Sequence, residues 1–296
     1  MLAQLTGERS SGFYAAAKPM TEIYLSTRDN QSLATLVKTM VRNVGPSFHA
    51  GYHLHRKQLA TEKYRSRFHM LWNLVEPFLL GLIFVALYQY RAISPLESGM
   101  PYSLFVISGV MFWQCLMDGF NVPLGQIGRS KELLSNTKIK PEALMWSAII
   151  RVFYNSTFRL IIVLLFFYVF NSFDFVNVAL AIIFFYFSIF LTCALGFLFE
   201  PFNAVMEDFS KFINLLLRPL MFLSGVIFPV KDIEAIALLN QYNFLFLIIE
   251  NFRALLLGEA LYRTGGLCLI VGILAATFLF AWYVFHISVR LVVEKG

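Results

Sequence analysis

Charge is the first thing this sequence is short of. Asp, Glu, Lys and Arg make up 14% of the chain, against about a quarter in a soluble domain, so much of its apolar surface must meet something other than water. Cysteine is scarce too. Cys115, Cys193 and Cys268 fall in three different apolar segments without CxxC or Cys/His spacing. That indicates neither a metal site nor a disulfide framework, and the three read as small buried apolar residues. There is no G-x-x-x-x-G-K-[ST] loop and no Gly-Lys dipeptide, so the chain does not hydrolyse ATP by that machinery. HExxH and GxSxG are missing, and no convergent acid/base set stands out, so no catalytic residue is assigned. No metal site is assigned either: His53-x-His55 has no third ligand nearby. GxxxG pairs do not occur, so glycine-mediated helix pairing has no support from sequence. Residues 1–30, with Glu8, Arg9, Lys18 and Arg28, lack the apolar core of a signal peptide and read as a flexible cytoplasmic tail. The Asn-x-Ser/Thr matches at Asn30 and Asn155 fall on that tail and inside an apolar span, and read as coincidence.

Apolar residues are what the chain has in excess, 58% of the total. They gather in runs of about 20, the length that crosses a bilayer: 70–90, 102–122, 143–170, 175–199, 212–230 and 265–289. The fold class expected is an all-α integral membrane protein with six transmembrane helices, the transmembrane domain covering 70–296. Residues 235–257 are apolar but interrupted by Asn240, Gln241, Asn243, Glu250, Asn251 and Arg253. Burying those in a full crossing would cost a few kcal/mol each. The stretch therefore reads as re-entrant helices dipping into the outer face between spans five and six.

Upstream, Leu33, Leu36, Val37, Met40, Val41, Val44 and Phe48 recur at helical steps, with Lys38 and Arg42 on the other side. Residues 31–69 thus read as an amphipathic helix and a basic linker, the helix lying on a membrane surface or against a soluble partner. Gly45-Pro46 is expected to break or kink it. His53, His55, Arg56, Lys57, Lys63, Arg65 and Arg67 then anchor the first span. Lys and Arg concentrate there, in the 123–142 loop and in the tail, so both termini are expected in the cytoplasm. The net charge of +6 reports orientation and lipid contact, not nucleic acid.

The order of features is specific where each alone is not. Leu71-Trp72-Asn73-Leu74-Val75-Glu76-Pro77 opens span one, and Met100-Pro101-Tyr102-Ser103-Leu104-Phe105 opens span two. A basic loop ends in Lys140-Pro141, and Glu207-Asp208 precede span five. Arg218-Pro219 through Phe228-Pro229 follows, then Glu250-Asn251-Phe252-Arg253. Over about residues 35–290 the chain resembles the ABC-2 type permeases that export capsular polysaccharide, O-antigen or teichoic acid, most of all the capsular branch. It departs from them at Asn240-Gln241, where the family has Asn-Pro. The resemblance implies a homodimer in the inner membrane bound to two copies of a separate ATP-binding subunit, which holds the ATP and magnesium; the chain itself carries no cofactor. The cargo implied is a lipid-linked polysaccharide, passed on to periplasmic and outer-membrane export proteins.

On that resemblance, Arg129, Lys131, Glu132, Lys138 and Lys140 are the candidate ATPase-docking residues, with Glu207 and Asp208 as a second contact. Arg151 and Arg159 stand eight residues, about two turns, apart in span three. A guanidinium facing lipid costs at least ~2.5 kcal/mol, so they are expected to face protein or water. With Arg218 they are candidates to line a translocation path for an anionic polymer; the alternative is internal pairing with Glu76, Asp118 or carbonyls. Trp72, Tyr88 and Trp113 are the aromatics singled out for stacking on sugar rings. Three rival readings stand beside this one: an ABC-2 permease for a small molecule, a membrane-embedded transferase, and a gradient-driven secondary transporter. The last needs intramembrane carboxylate or histidine relays, and Glu76 and Asp118 at the span ends supply them poorly.

Overall fold

One helix sits at the centre of the others. In the computed structural model, which describes residues 33–65, 69–90, 100–136, 139–170, 174–206, 208–229 and 243–295, Tyr102–Leu124 is enclosed along nearly its whole length, with Leu104, Val106, Val110 and Phe112 fully buried. The elements in order are α1 (Leu33–Arg65), α2 (His69–Gln89), α3 (Tyr102–Leu124), α4 (Gln126–Arg129), α5 (Lys131–Asn136), α6 (Pro141–Phe170), α7 (Phe175–Val205), α8 (Asp208–Leu223), α9 (Phe244–Leu257) and α10 (Thr264–Lys295). The chain divides into two compact units, Met1–Arg42 and Asn43–Gly296. In the first, the described residues are the opening turns of α1, and the tail expected at 1–30 lies outside them. In the second, α2, α6 and α7 pack directly on α3, and α10 packs on α7.

The helices begin and end for local reasons. Asp174 caps α7 by accepting from the Val176 amide at 3.2 Å. Asn243 caps α9 by accepting from Leu245 and Phe246, and Gly258 ends it with φ 72°, a left-handed turn that glycine takes without strain. Gly225, φ 67°, reverses the chain just after α8. Four helices among the described residues, α3, α6, α7 and α10, are long and apolar enough to cross a membrane. Of the other two expected spans, 70–90 corresponds to α2, with 21 residues, and 212–230 falls mostly on α8. α8 stops at Leu223, so it is about 24 Å long against a hydrocarbon core of about 30 Å. α9, the described part of the expected re-entrant stretch, has 14 residues and spans about 21 Å.

Contacts sort the helix ends into two groups. Ile127 meets Glu200, His286 meets Glu142 and Lys140 meets Asn43. That end holds α1, α4, α5, the starts of α6 and α8 and the ends of α3, α7 and α10; it is called the basic end below. At the other end Tyr88 stacks on Tyr102 at 4.5 Å, Asn177 abuts Gly258 and α9 meets the start of α3. Large apolar side chains such as Leu79, Ile83, Ile161, Leu165, Leu180, Ile183, Leu269, Ile273 and Leu279 face outward. Soluble monomers rarely expose apolar patches this extensive, and a bilayer accepts them.

Three expectations need correction. Of the break or kink expected at Gly45-Pro46, the break is overturned: α1 runs through both residues and continues over the basic stretch to Arg65. A helix-interior proline costs about 3 kcal/mol, and the face of α1 beyond it is held against α6. There Gly51 lies so close that a Cβ would come within 2.6 Å of Trp146 Cβ. Gln58 approaches Ser147 at 3.3 Å and Glu62 pairs with Arg151 at 2.5 Å. Second, glycine does mediate helix pairing. A Cβ at Gly196 of α7 would collide with the Phe120 carbonyl of α3, and one at Gly119 with the Thr192 hydroxyl. Each glycine works alone across the α3–α7 seam, so no GxxxG spacing is needed to bring the backbones together. Third, Cys115 and Cys193 are buried as expected, but Cys268 is exposed on α10, where a small apolar residue suits a lipid-facing surface.

Candidate functional site

The basic end carries an elbow. α3 runs to Leu124, the chain turns at Gly125, and two short helices, α4 and α5, follow before α6 returns into the bundle. Arg129 folds its guanidinium back onto the Val122 carbonyl, one of the α3 carbonyls that lack a partner within the helix. A cation there also complements the negative end of the helix dipole.

Side chains from two other helices grip this elbow. Glu200, on the penultimate turn of α7 and fully buried, accepts the Ile127 amide at 2.6 Å. That amide belongs to the first turn of α4, where backbone donors are otherwise orphaned. One turn on, Asn203 donates to the Leu124 carbonyl at 2.7 Å and accepts the Ser210 amide of α8 at 3.2 Å. Deeper in the same seam, Asn121 of α3 and Asn214 of α8 exchange amide hydrogen bonds in both directions, at 3.0 and 2.9 Å. Asn214 also donates to the Ser210 carbonyl at 2.8 Å. The elbow is thus fastened to the ends of α3 and α7, and the start of α8 to those same two helices, by polar bonds in an apolar setting, where such bonds face little competition from water.

The docking candidates fall on this surface. Arg129, Lys131, Glu132, Lys140 and Asp208 are all exposed at the basic end. Lys140 Nζ donates to Asn43 at 3.0 Å. Asp208 bonds Lys211 at 2.7 Å, which holds its carboxyl below the usual range. Lys138 and Glu207 lie outside the described residues. A second buried polar contact joins α6 to α10 here: His286 Nδ1 is 2.8 Å from Glu142 Oε1.

The residues named for a translocation path are not brought together. Arg159 is buried and bonds Asp118 of α3 at 2.6 Å. Arg151 bonds Glu62 of α1, a partner that sequence reasoning did not name. Arg218 is exposed on α8. Trp113 is packed in the core, 4% exposed. Tyr88 stacks on Tyr102 at the far end. Trp72 lies on α2, and its side chain is outside the described residues. Glu76 is exposed.

At the far end, Arg253 is the most heavily bonded side chain. Its guanidinium donates to the Gly225 carbonyl at 2.7 Å and to those of Phe105 and Val226 at 2.9 Å each. It lies 3.6 Å from the centroid of the Phe105 ring, and Glu250 is 3.8 Å away. This clasp pins α9 and the 224–228 turn to the start of α3.

Sequence reading missed Glu200, Asn121, Asn203, Asn214 and the role of Arg253. The available signal was faint: one carboxylate and three asparagines at the margins of apolar spans, where polar residues are unremarkable. Residues 54–257 match the family model described as ABC-2 type transporter. No curated protein matches the chain.

Proposed function

This chain belongs to the ABC-2 type transporter family, and on that premise we propose that it is the permease of an ATP-driven exporter that carries a lipid-linked polysaccharide, of capsular type, across an inner membrane. Membership makes it a multi-pass transmembrane transport subunit, a permease component that as a rule lacks its own ATPase and works with an ATP-binding partner. The finer reading is ours. Both termini lie in the cytoplasm, six helices cross, and α9 with the stretch before it is re-entrant. Two copies of the chain assemble with two copies of the ATP-binding subunit, which supplies ATP and magnesium.

One observation carries the docking assignment. The exposed charges of Arg129, Lys131 and Glu132 sit on short helices of an elbow that is fastened to the ends of α3 and α7. A partner that pulls on them pulls on those two helices, and through them on α8. Exposed Lys140 and Asp208 lie at the same end, and Lys138 and Glu207 complete the docking set by their place in the sequence. The dimer reading draws support from α8, which has no buried residue and exposes Phe212, Leu215, Leu216 and Phe222.

For the path, exposed Arg218 is the best placed of the cations, and Tyr88 and Trp72 on α2 are the aromatics assigned to it. Arg151 and Arg159 reach a path only by leaving Glu62 and Asp118 during the cycle, and Trp113 only if α3 repacks.

The test reverses charge at the docking surface. Arg129→Glu with Lys131→Glu, in protein that still inserts, should lower recovery of a co-expressed ATP-binding subunit about tenfold, as reversal of complementary interface charges does. Unchanged recovery would remove the loop from the docking role.

A further inference from the structure

We propose that Glu200 and Asn203 are positioning residues that transmit movement of the 125–136 elbow to α8. The inference rests on the docking reading and goes beyond it, because it says where the stroke travels once the elbow moves.

The bonding pattern directs it. Ile127, the first α4 residue with a buried side chain after Gln126, is tied to α7 through Glu200 Oε1. Leu124, the last residue of α3, is tied to α7 through Asn203. Asn203 has its other amide atom on Ser210, in the first turn of α8. A single side chain therefore touches the last residue of α3, where the elbow begins, with its nitrogen and α8 with its oxygen. The second tie, Asn121 to Asn214, lies one turn further along α8. Beyond Asn214, α8 makes no further side-chain hydrogen bond among those described, and it has no buried residue. It is held at its start by these bonds and at its far end through the 224–228 turn that Arg253 clasps; between the two it rests against its surroundings through apolar side chains. Its start therefore follows whatever it is fastened to, and the rest of α8 tilts about the clasped turn. α6 is wired differently: its bonds go to α1 through Ser147 and Arg151, to α10 through Glu142 and to α3 through Arg159. Displacement of the elbow is thus delivered to α8 through α7's last turns, while α6 is coupled to α1.

Glu200 acts here as a hydrogen-bond acceptor. Glutamine keeps an acceptor oxygen at the same reach, and leucine does not, which separates the positioning role from simple bulk. The experiment uses the permease–ATPase complex in lipid with Cys268→Ser to remove the exposed thiol. Leu215→Cys on α8 is the reporter, and N-ethylmaleimide is the probe. Its labelling rate is measured without nucleotide and with ATP plus vanadate. In the parent the two rates should differ several-fold. In Glu200→Leu the difference should shrink to less than about twofold, the loss of a buried acceptor that orphans an amide, while the complex still assembles and hydrolyses ATP. Glu200→Gln should restore the difference. Asn214→Ser, which removes the amide pair without touching the elbow, should weaken it as well and serves if the leucine variant fails to insert. An undiminished nucleotide response in Glu200→Leu or Asn214→Ser overturns the inference, and so does a parent with no response. Failure of docking is read separately, from complex recovery in the Arg129→Glu, Lys131→Glu permease.

Discussion

Replacing Arg253 with methionine should loosen the far end of the bundle. Methionine fills much of the same volume but donates nothing. Three carbonyls then lose their donor. Phe105 lies within α3, so its carbonyl keeps a helical partner. Gly225 and Val226 belong to the turn and have no other partner among the bonds described. Two buried acceptors left unsatisfied at 1–3 kcal/mol each, offset in part by no longer burying a charge, give a net loss of about 3 kcal/mol. On the scaling for chains of this size that is a fall in Tm of about 6–12 °C. Thermal unfolding of detergent-purified protein, followed by tryptophan fluorescence, measures it. Arg253→Lys keeps the charge but not the planar fork that reaches separate carbonyls, so it should recover less than half the loss. A methionine variant melting within about 2 °C of the parent would refute the reasoning, since so small a change leaves no room for even one orphaned buried carbonyl.

Acid should weaken the grip of α1 on α6. Burial first, and then the neighbouring Arg151, lower the His55 pKa from 6.5, with Glu62 opposing. The unfolded chain therefore takes up this proton first, so the stabilisation is whole above about pH 6.5 and declines as pH falls below it. Tm measured from pH 5 to 8 should show that slope, and His55→Gln should flatten it. Arg159→Gln should destabilise by about 3 kcal/mol, the low end for a broken buried pair, because Asp118 keeps 29% exposure. Adding Asp118→Asn should return part of that, and export unchanged in Arg159→Gln would remove Arg159 from any path. Gly196→Ala places a methyl against the Phe120 carbonyl and should cost at least about 1 kcal/mol; an unshifted Tm would deny the close approach of α3 and α7.

The helices were legible wherever the chain offered twenty apolar residues in a row, because lipid imposes that length locally. α7 nonetheless outruns its expected end at 199 and reaches Val205. Its last turns carry Glu200 and Asn203, which look like loop residues until their partners on α4 and α8 are known. The polar stretch with Arg253 reads as unsuited to an ordinary crossing, on the cost of burying its charge. What satisfies that charge was invisible, since two of its acceptors are backbone carbonyls of a turn 27 and 28 residues away and the third lies 148 residues away, and backbone acceptors leave no mark in sequence. Arg151 posed the same difficulty: its partner Glu62 lies 89 residues upstream, in the basic stretch expected to anchor the first span, not to pack against α6. The lone glycines of the α3–α7 seam escaped for a related reason, since close backbone approach needs one glycine per contact and no fixed spacing.

The measurement that bears most directly on the account is transport by the reconstituted permease–ATPase complex in sealed proteoliposomes, with a fluorescent lipid-linked oligosaccharide as cargo. Movement of the oligosaccharide across the bilayer should require ATP and the partner subunit together, and should proceed without any ion gradient. Movement by the permease alone, driven by a proton or sodium gradient and indifferent to ATP, would contradict it.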